Sequence, residues 1–221
     1  MSLLDRYATL ETSAVSDALD SLSLLSGVGG LLPLTVDAPV IGYARTAQLE
    51  PRHQDVLHTH ILTEVVDAAG EDDVLVVDND GRTDVAAWGG ILGLGASLRG
   101  VRGIIIDGAM RDVQENRRLD LAVYARGTVP ASARGRLQQR TAGEPVHIAG
   151  RVVHEGDLVF ADPTGFVVVP RAHIDTVLRQ AETVVARRRA ISDDVRNGLG
   201  LRDTMTDARL AGTERPANPV S

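Results

Sequence analysis

The chain contains no cysteine and no lysine; all 23 of its basic residues are arginine. Without cysteine there are no thiol nucleophiles, disulfide frameworks or thiolate metal sites. Without lysine no Schiff base can form, which excludes lysine-type aldolases and pyridoxal-phosphate enzymes. A phosphate-binding P-loop is excluded too, since its lysine cannot be supplied. Aromatic residues make up only 3% of the chain, too few for a base-stacking platform. Apolar runs such as 74–77 and 104–106 are short, far below the roughly 20 residues of a membrane helix. The formal charge of −7 argues against nucleic acid as a partner. Any carbonyl chemistry must therefore use a metal ion, arginine or backbone amides as its electron sink.

What is present suits a single folded domain. The chain has 221 residues, 43% of them hydrophobic, enough for a core without covalent staples. Its N-terminus is acidic within five residues and lacks a long apolar core, so no signal peptide is expected and the expected location is cytoplasmic. Periodicity predicts a helix over 9–25, with Thr12 and Ser13 as candidate N-caps. A strand follows over 41–49, then a helix over 58–69 stopped by Gly70. A strand over 74–77 is expected to close at the turn-forming Asp78-Asn79-Asp80-Gly81. Further elements are a helix at 91–99, a buried strand at 104–107, a short helix at 113–119 and a strand at 122–125. After residue 130 short strands separated by Gly, Asp and Pro predict a meander of hairpins, followed by a long helix over 172–189. Residues 210–221 carry two prolines and little apolar content, and are expected to be a disordered tail. Mixed helices and strands give an α/β or α+β class.

Residues 84–115 carry the chemistry. Trp88-Gly89-Gly90 precedes a helix. A helix start exposes unpaired N–H groups, and glycine lets an anion approach them closely. Gly89, Gly90, Ile91 and Leu92 are thus a candidate cradle for a carboxylate or phosphate. The alternative is that these glycines serve only a tight turn and close helix packing. Next, a strand ending at Asp107-Gly108 delivers Arg111 and Asp112. Charged pairs just beyond a strand's C-terminal end are typical of α/β sites. Arg111 can grip a carboxylate or enolate oxygen with its planar fork. Asp112 can hold a hard divalent cation, and Glu115 lies near it if a helix begins here. The alternative is an ordinary surface ion pair.

The whole pattern W-G-x-x-L…A-x-x-R-G-x-x-G-x-x-x-D-G-x-x-R-D resembles the RraA-like family. It is carried by Trp88, Gly89, Leu92, Ala96, Arg99, Gly100, Gly103, Asp107, Gly108, Arg111 and Asp112. The opening Val15-Ser16-Asp17-Ala18-Leu19-Asp20 is similar too, as is Gly165-Phe166-Val167-Val168-Val169-Pro170 with Asp157 and Asp162 before it. That family includes the regulator of ribonuclease E activity A and the metal-dependent 4-hydroxy-4-methyl-2-oxoglutarate / 4-carboxy-4-hydroxy-2-oxoadipate aldolases. The resemblance spans about residues 10–190. It implies a compact β/β/α swivelling-type single domain with a C-terminal helix over 1–209, followed by the tail. It also implies a homotrimer or dimer of trimers with the site between subunits. In the aldolases the amides after Trp-Gly bind the pyruvyl carboxylate, here Gly89, Gly90, Ile91 and Leu92. The Arg of the pair, here Arg111, meets the keto or enolate oxygen, and the Asp, here Asp112, anchors Mg²⁺ or Mn²⁺.

One departure from the aldolase pattern is serious. The aldolases carry an acid 21 residues before that Arg, and Gly90 stands there instead. A second acid, from the C-terminal helix of a neighbouring subunit, also has no clear match; Ser192, Asp193 and Asp194 occupy that region. Fewer carboxylates weaken or move the ion. Asp84, one short loop away, is a candidate replacement.

Other motifs are read as follows. His53, His58 and His60 invite a zinc reading, but a spacing of two on a helix points side chains apart, so a polar helix start lining the pocket mouth is the expectation. Asp78-Asn79-Asp80-Gly81 resembles an EF-hand opening, but Gly89 holds the twelfth position and a turn is expected. Arg187-Arg188-Arg189 reads as a solvated helix face, and His147 and His154 as structural or exposed. The expected function is a divalent-metal-dependent carbon–carbon lyase on a small 2-oxo acid, working by retro-aldol cleavage or oxaloacetate-type decarboxylation through a pyruvate enolate. Nucleic-acid and membrane partners are not expected. The alternatives are a non-catalytic regulator that binds a partner protein, or a biosynthetic lyase, hydratase or isomerase that reuses the enolate-stabilising site.

Overall fold

The apolar runs 74–77 and 104–106 become neighbouring central strands of one sheet. Buried on both faces, they read as unbroken Val/Ile segments, as parallel strands do. The computed structural model describes residues 1–53 and 60–212. His58, the expected helix start at 58 and residues 213–221 of the expected tail therefore lie outside the described residues.

In chain order the elements are α1 (Leu3–Tyr7), α2 (Thr12–Ser21), β1 (Leu32–Pro33), β2 (Val40–Pro51), α3 (Thr63–Ala68), β3 (Asp73–Trp88), α4 (Gly90–Leu98), β4 (Gly103–Met110) and α5 (Val113–Arg118). They continue with β5 (Val123–Thr128), β6 (Leu137–Ala142), β7 (Val146–Ile148), β8 (Arg151–Val153), β9 (Leu158–Asp162), β10 (Gly165–Val169), α6 (Ile174–Arg196), α7 (Leu201–Thr204) and α8 (Asp207–Ala211). The main sheet runs β1-β5-β4-β3-β2-β9-β10, with β6 also on β2. Strands β2 to β5 are parallel, and the outer pairings are antiparallel. The class is thus mixed α/β in a single domain with a C-terminal helix.

Strand alternation divides each central strand between two cores. Leu75, Val77, Ile104 and Ile106 face α3 and α4 together with Trp88 and Leu92. Val74, Val76 and Ile105 face the β7–β8 hairpin and Tyr124 on the other side. A third core packs α1, α2 and α6 onto β9 and β10.

Several expectations need correction. Asp78-Asn79-Asp80-Gly81 does not end the strand; β3 runs on to Trp88. Asp80 and Gly81 are both left-handed, at φ 52 and 66. They form a bulge that moves the partner of β4 from Asp78↔Asp107 to Arg82↔Gly108, and two further shifts lead to Ala86↔Ala109 and Trp88↔Met110. Asp107-Gly108 likewise lies inside β4, which ends at Met110. A β-carbon on Gly108 would come within 2.8 Å of Asn79 Cβ, so glycine is needed for this close strand approach.

The helix expected over 9–25 is the shorter α2, and a separate helix, α1, precedes it. α1 has its own capping box from Ser2 and Asp5. α2 starts at Thr12 with Glu11 as N-cap and no side-chain cap, so neither Thr12 nor Ser13 caps it. Asp162, at the end of β9, does that work instead, accepting Thr12 N–H at 2.8 Å and its hydroxyl at 2.7 Å. Helix α3 begins only at Thr63 because Leu62 takes a left-handed conformation, φ 64, with its N–H on Gln139 Oε1. The expected meander divides: β7–β8 is a separate hairpin, while β9–β10 rejoins the main sheet through β2. α6 extends past 189 to Arg196, and α8 carries helix across the 209/210 boundary expected for the tail.

Candidate active site

The parallel pair β3–β4 ends at one edge, with Trp88 opposite Met110 and Arg111 N–H on Trp88 O at 2.9 Å. Two helix starts therefore emerge side by side, α4 after Gly89 and α5 after Asp112. Such a carboxyl end of parallel strands is where α/β folds place ligands. A cavity of about 450 Å³ opens there. All six sequence candidates line it: Gly89, Gly90, Ile91, Leu92, Arg111 and Asp112.

Hydrogen bonds lock the two helix starts together. Asp112 Oδ2 accepts Gly90 N–H at 3.0 Å and lies 3.4 Å from Arg111 Nε. Fully buried Asn116 accepts Trp88 Nε1–H at 3.0 Å and donates to Asp112 O at 3.0 Å. Asp112 is left-handed, φ 57, and its side chain does not cap its own helix.

The cradle is therefore partly filled by the protein itself. Gly90 N–H belongs to Asp112, while no acceptor among the described residues takes the N–H of Ile91 or Leu92. Those two donors, at the positive end of a nine-residue helix beside Arg111, suit a small carboxylate.

The glycines have a second role. A β-carbon on Gly89 would come 2.8 Å from Asp112 Oδ2, one on Gly90 1.5 Å from Glu115 Oε2, and one on Gly93 2.3 Å from Asn116 Oδ1. Three side chains at the start of α5 thus occupy the room that Gly89, Gly90 and Gly93 leave at the start of α4. The glycines therefore do serve close helix packing.

The structure does not bring Asp84 to the site. Asp84 is exposed and paired with Arg82 at 2.8 Å, and the hydrogen bond from Arg82 holds its carboxyl below the usual range. Asp193 pairs with Arg196 at 2.7 Å and Asp194 with Arg209, while Ser192 donates to Arg188 O. None of the three lines the cavity of this chain. His60 stands at the cavity wall, outside any helix, with ring Nδ1 3.1 Å from Ile61 O. His53 faces a different cavity of about 630 Å³, shared with Asp78, Asp107, Arg126, Arg140 and His147. His53 and His60 therefore line different cavities, and His58 lies outside the described residues. In that second cavity Asp107 is held by Arg126 and Ala149 N–H, and Asp78 by Asp80 and His147 N–H. His154 is paired with Asp157 at 3.4 Å. The arginine run is not simply solvated: Arg188 bonds Asp17 at 2.6 Å and Ser13 Oγ at 3.0 Å.

Sequence reasoning missed the role of Asn116, whose only local signal is a polar residue four positions after Asp112. The described residues hold no cluster of three or more metal-ligating side chains. Asp112 and Glu115 nevertheless face one cavity. Two carboxylates fit a hard divalent ion that keeps most of its shell as water and substrate oxygen, and do not fit an all-protein cage. No described helix is long and apolar enough to cross a membrane.

Comparison with known proteins gives the family and the fold. A family model described as RraA-like, Aldolase/RraA, matches residues 12–168. A Halalkalibacterium halodurans protein named "Putative 4-hydroxy-4-methyl-2-oxoglutarate aldolase" is 30% identical over 88% of this chain and 91% of its own. Protein DlpA of Legionella pneumophila is 27% identical over 93% of this chain, which spans only 34% of DlpA. Among solved structures, a Pseudomonas syringae pv. tomato protein of no stated function superposes with TM-score 0.84 at 30% identity, covering 91% of this chain and 92% of that one. Streptomyces coelicolor RraAS2, described as an unusual member of the RNase ES inhibitor RraA protein family, gives TM-score 0.74 at 28% identity, covering 82% and 90%.

Proposed function

The chain belongs to the RraA-like family, and we propose that it is a divalent-metal-dependent carbon–carbon lyase acting on a small 2-oxo acid. The observation that carries this is the meeting of Arg111, Asp112 and the free N–H groups of α4 in one cavity. The Ile91 and Leu92 amides bind the substrate carboxylate. Arg111 donates to the 2-oxo oxygen. When the bond beyond the methylene carbon breaks, by retro-aldol cleavage or loss of CO₂, its electron pair moves into the 2-oxo group and leaves an enolate. Arg111 holds the developing negative charge at that oxygen, the kind of preorganised contact that is commonly worth several kcal/mol. Asp112 would hold Mg²⁺ or Mn²⁺, which supplies further charge neutralisation and acidifies water. Water in the cavity takes the substrate's hydroxyl proton in the aldol case, and water protonates the methylene carbon to give pyruvate. With no lysine in the chain, no iminium route competes.

The working unit we propose is a homotrimer or dimer of trimers. Ile91, Leu94 and Leu98 form a stripe along α4 that is 88, 48 and 79% exposed, starting at the cavity wall. A second copy covering this stripe would wall the cavity and supply acids that one chain lacks.

The test is pyruvate release from oxaloacetate and 4-hydroxy-2-oxo diacids, with Mg²⁺ or Mn²⁺ and with EDTA. Ion-dependent release is expected. Release unchanged in excess chelator overturns the metal role, and no turnover of any 2-oxo acid overturns the lyase. The name of the Streptomyces neighbour keeps a second reading, a regulator docking a partner protein on the same stripe. Under it the assay is blank.

A further inference from the structure

We infer that Glu115 is the second acidic group of the ion site, reaching from α5 into the space that Gly90 leaves empty on α4. The inference rests on the metal-dependent reading above and adds a residue to it. Gly90 is not there for backbone freedom, since only a φ between about +20° and +160° calls for glycine and Gly90 is not among the residues with positive φ. As the first residue of a helix it gives up the better helix propensity of nearly any other residue. What requires glycine is space. A β-carbon there would lie 1.5 Å from Glu115 Oε2, 2.7 Å from its Cδ and 3.2 Å from its Cβ. A side chain at position 90 and Glu115 in its present place are mutually exclusive.

A carboxylate thus occupies the side-chain space of position 90 but comes from a different helix. Asp112 and Glu115 are three residues apart on the first turn of α5, with Glu115 N–H on Asp112 O at 3.1 Å, and therefore share a side. Asp112 spends Oδ2 on Gly90 N–H and Arg111. Among the described residues its Oδ1 and both oxygens of Glu115 have no donor or cation. These oxygens are free to bind an ion directly or through its water shell, the mode Mg²⁺ and Mn²⁺ favour.

The test reads ion binding rather than turnover. Free Mn²⁺ is followed by electron paramagnetic resonance in titrations of the full chain, with melting temperatures alongside. Glu115→Gln keeps size and polarity and is expected to weaken Mn²⁺ binding about ten- to a hundredfold at unchanged melting temperature. Gly90→Asp alone must displace Glu115 and is expected to lower the melting temperature. Gly90→Asp combined with Glu115→Ala moves the acid to α4 and is expected to recover both stability and Mn²⁺ affinity relative to Glu115→Ala. A Glu115→Gln protein that binds Mn²⁺ like the parent overturns the inference and leaves the metal-dependent reading standing. So does a double variant no better than Glu115→Ala. A folded parent that binds no Mn²⁺ overturns the metal-dependent reading and this inference with it.

Discussion

The carboxylate of Asp112 accepts the N–H of Gly90 at 3.0 Å, although Asp112 is the N-cap of its own helix and makes no side-chain cap there. The left-handed backbone of Asp112 turns the side chain away from α5 and onto the start of α4. Asp and Asn are the side-chain-bearing residues that tolerate this region best. One residue thus ties two helix starts and faces the cavity.

Asp112→Asn keeps both the backbone preference and an acceptor for Gly90 N–H but removes the charge. Turnover and Mn²⁺ binding should be lost while the melting curve stays near that of the parent. Asp112→Ala also loses the acceptor and meets a strained backbone, so it should lose about 1–3 kcal/mol of stability as well. An active Asn variant would remove Asp112 from the ion site.

Arg111→Lys preserves charge but replaces a planar fork with a flexible point charge. If Arg111 holds the enolate oxygen, kcat should fall about 10²- to 10³-fold with a smaller change in KM. Steady-state kinetics on a panel of 2-oxo acids measures this. An equally active Lys variant would end the role given to Arg111.

Leu94→Glu with Leu98→Glu places two charges on the exposed stripe of α4. Light scattering should show the parent as an oligomer and the variant shifted towards monomer, with activity lost in parallel. A parent that is monomeric and fully active would contradict a shared site.

Asp162 links acid stability to the fold. Burial raises its pKa, but hydrogen bonds from Thr12 N–H and hydroxyl and from Thr164 and Gly165 N–H outweigh that and leave it lowered. A carboxylate with a lowered folded pKa stabilises the fold above its unfolded value, about 3.9, and loses that contribution as pH falls through the folded pKa. Urea titrations of the parent should therefore show stability falling below about pH 4. In Asp162→Asn that decline should be shallower and the neutral-pH stability lower. Identical pH profiles would show that Asp162 does not carry the effect.

Asn116→Ala should leave the indole N–H of Trp88 buried and unpaired, at a cost of about 1–3 kcal/mol. Trp88 is the only tryptophan, so its fluorescence reports the change directly. An unchanged emission spectrum and melting curve would refute this.

Much of the fold was legible because its signals are local. The Val and Ile runs 74–77 and 104–106 are apolar at every position, which only a strand buried on both faces sustains. The helix beginning after Gly89 and the short helix after Asp112 lie within a residue or two of their expected bounds. Less legible were features set by partners. The bulge at Asp80-Gly81 looked like a strand end because Asp-Asn-Asp-Gly is a turn-forming cluster, but β3 still pairs with β4 beyond it at Arg82, Ala86 and Trp88, in shifted register.

The sequence by itself determined the chemistry available: no lysine and no cysteine exclude iminium and thiolate catalysis, and Trp88-Gly89 with Arg111-Asp112 mark the candidate site. Only the tertiary structure decided which acids meet there. Asp84 is nearer to Gly90 along the chain, yet lies exposed on β3 and pairs with Arg82. Glu115 reaches Gly90 because β3 and β4 run parallel and end together, so the first turns of α4 and α5 pack against each other. Residue patterns record which groups share a helix turn or a strand face. Contacts such as Asp112 on Gly90, 22 residues apart, depend on how whole elements are laid side by side.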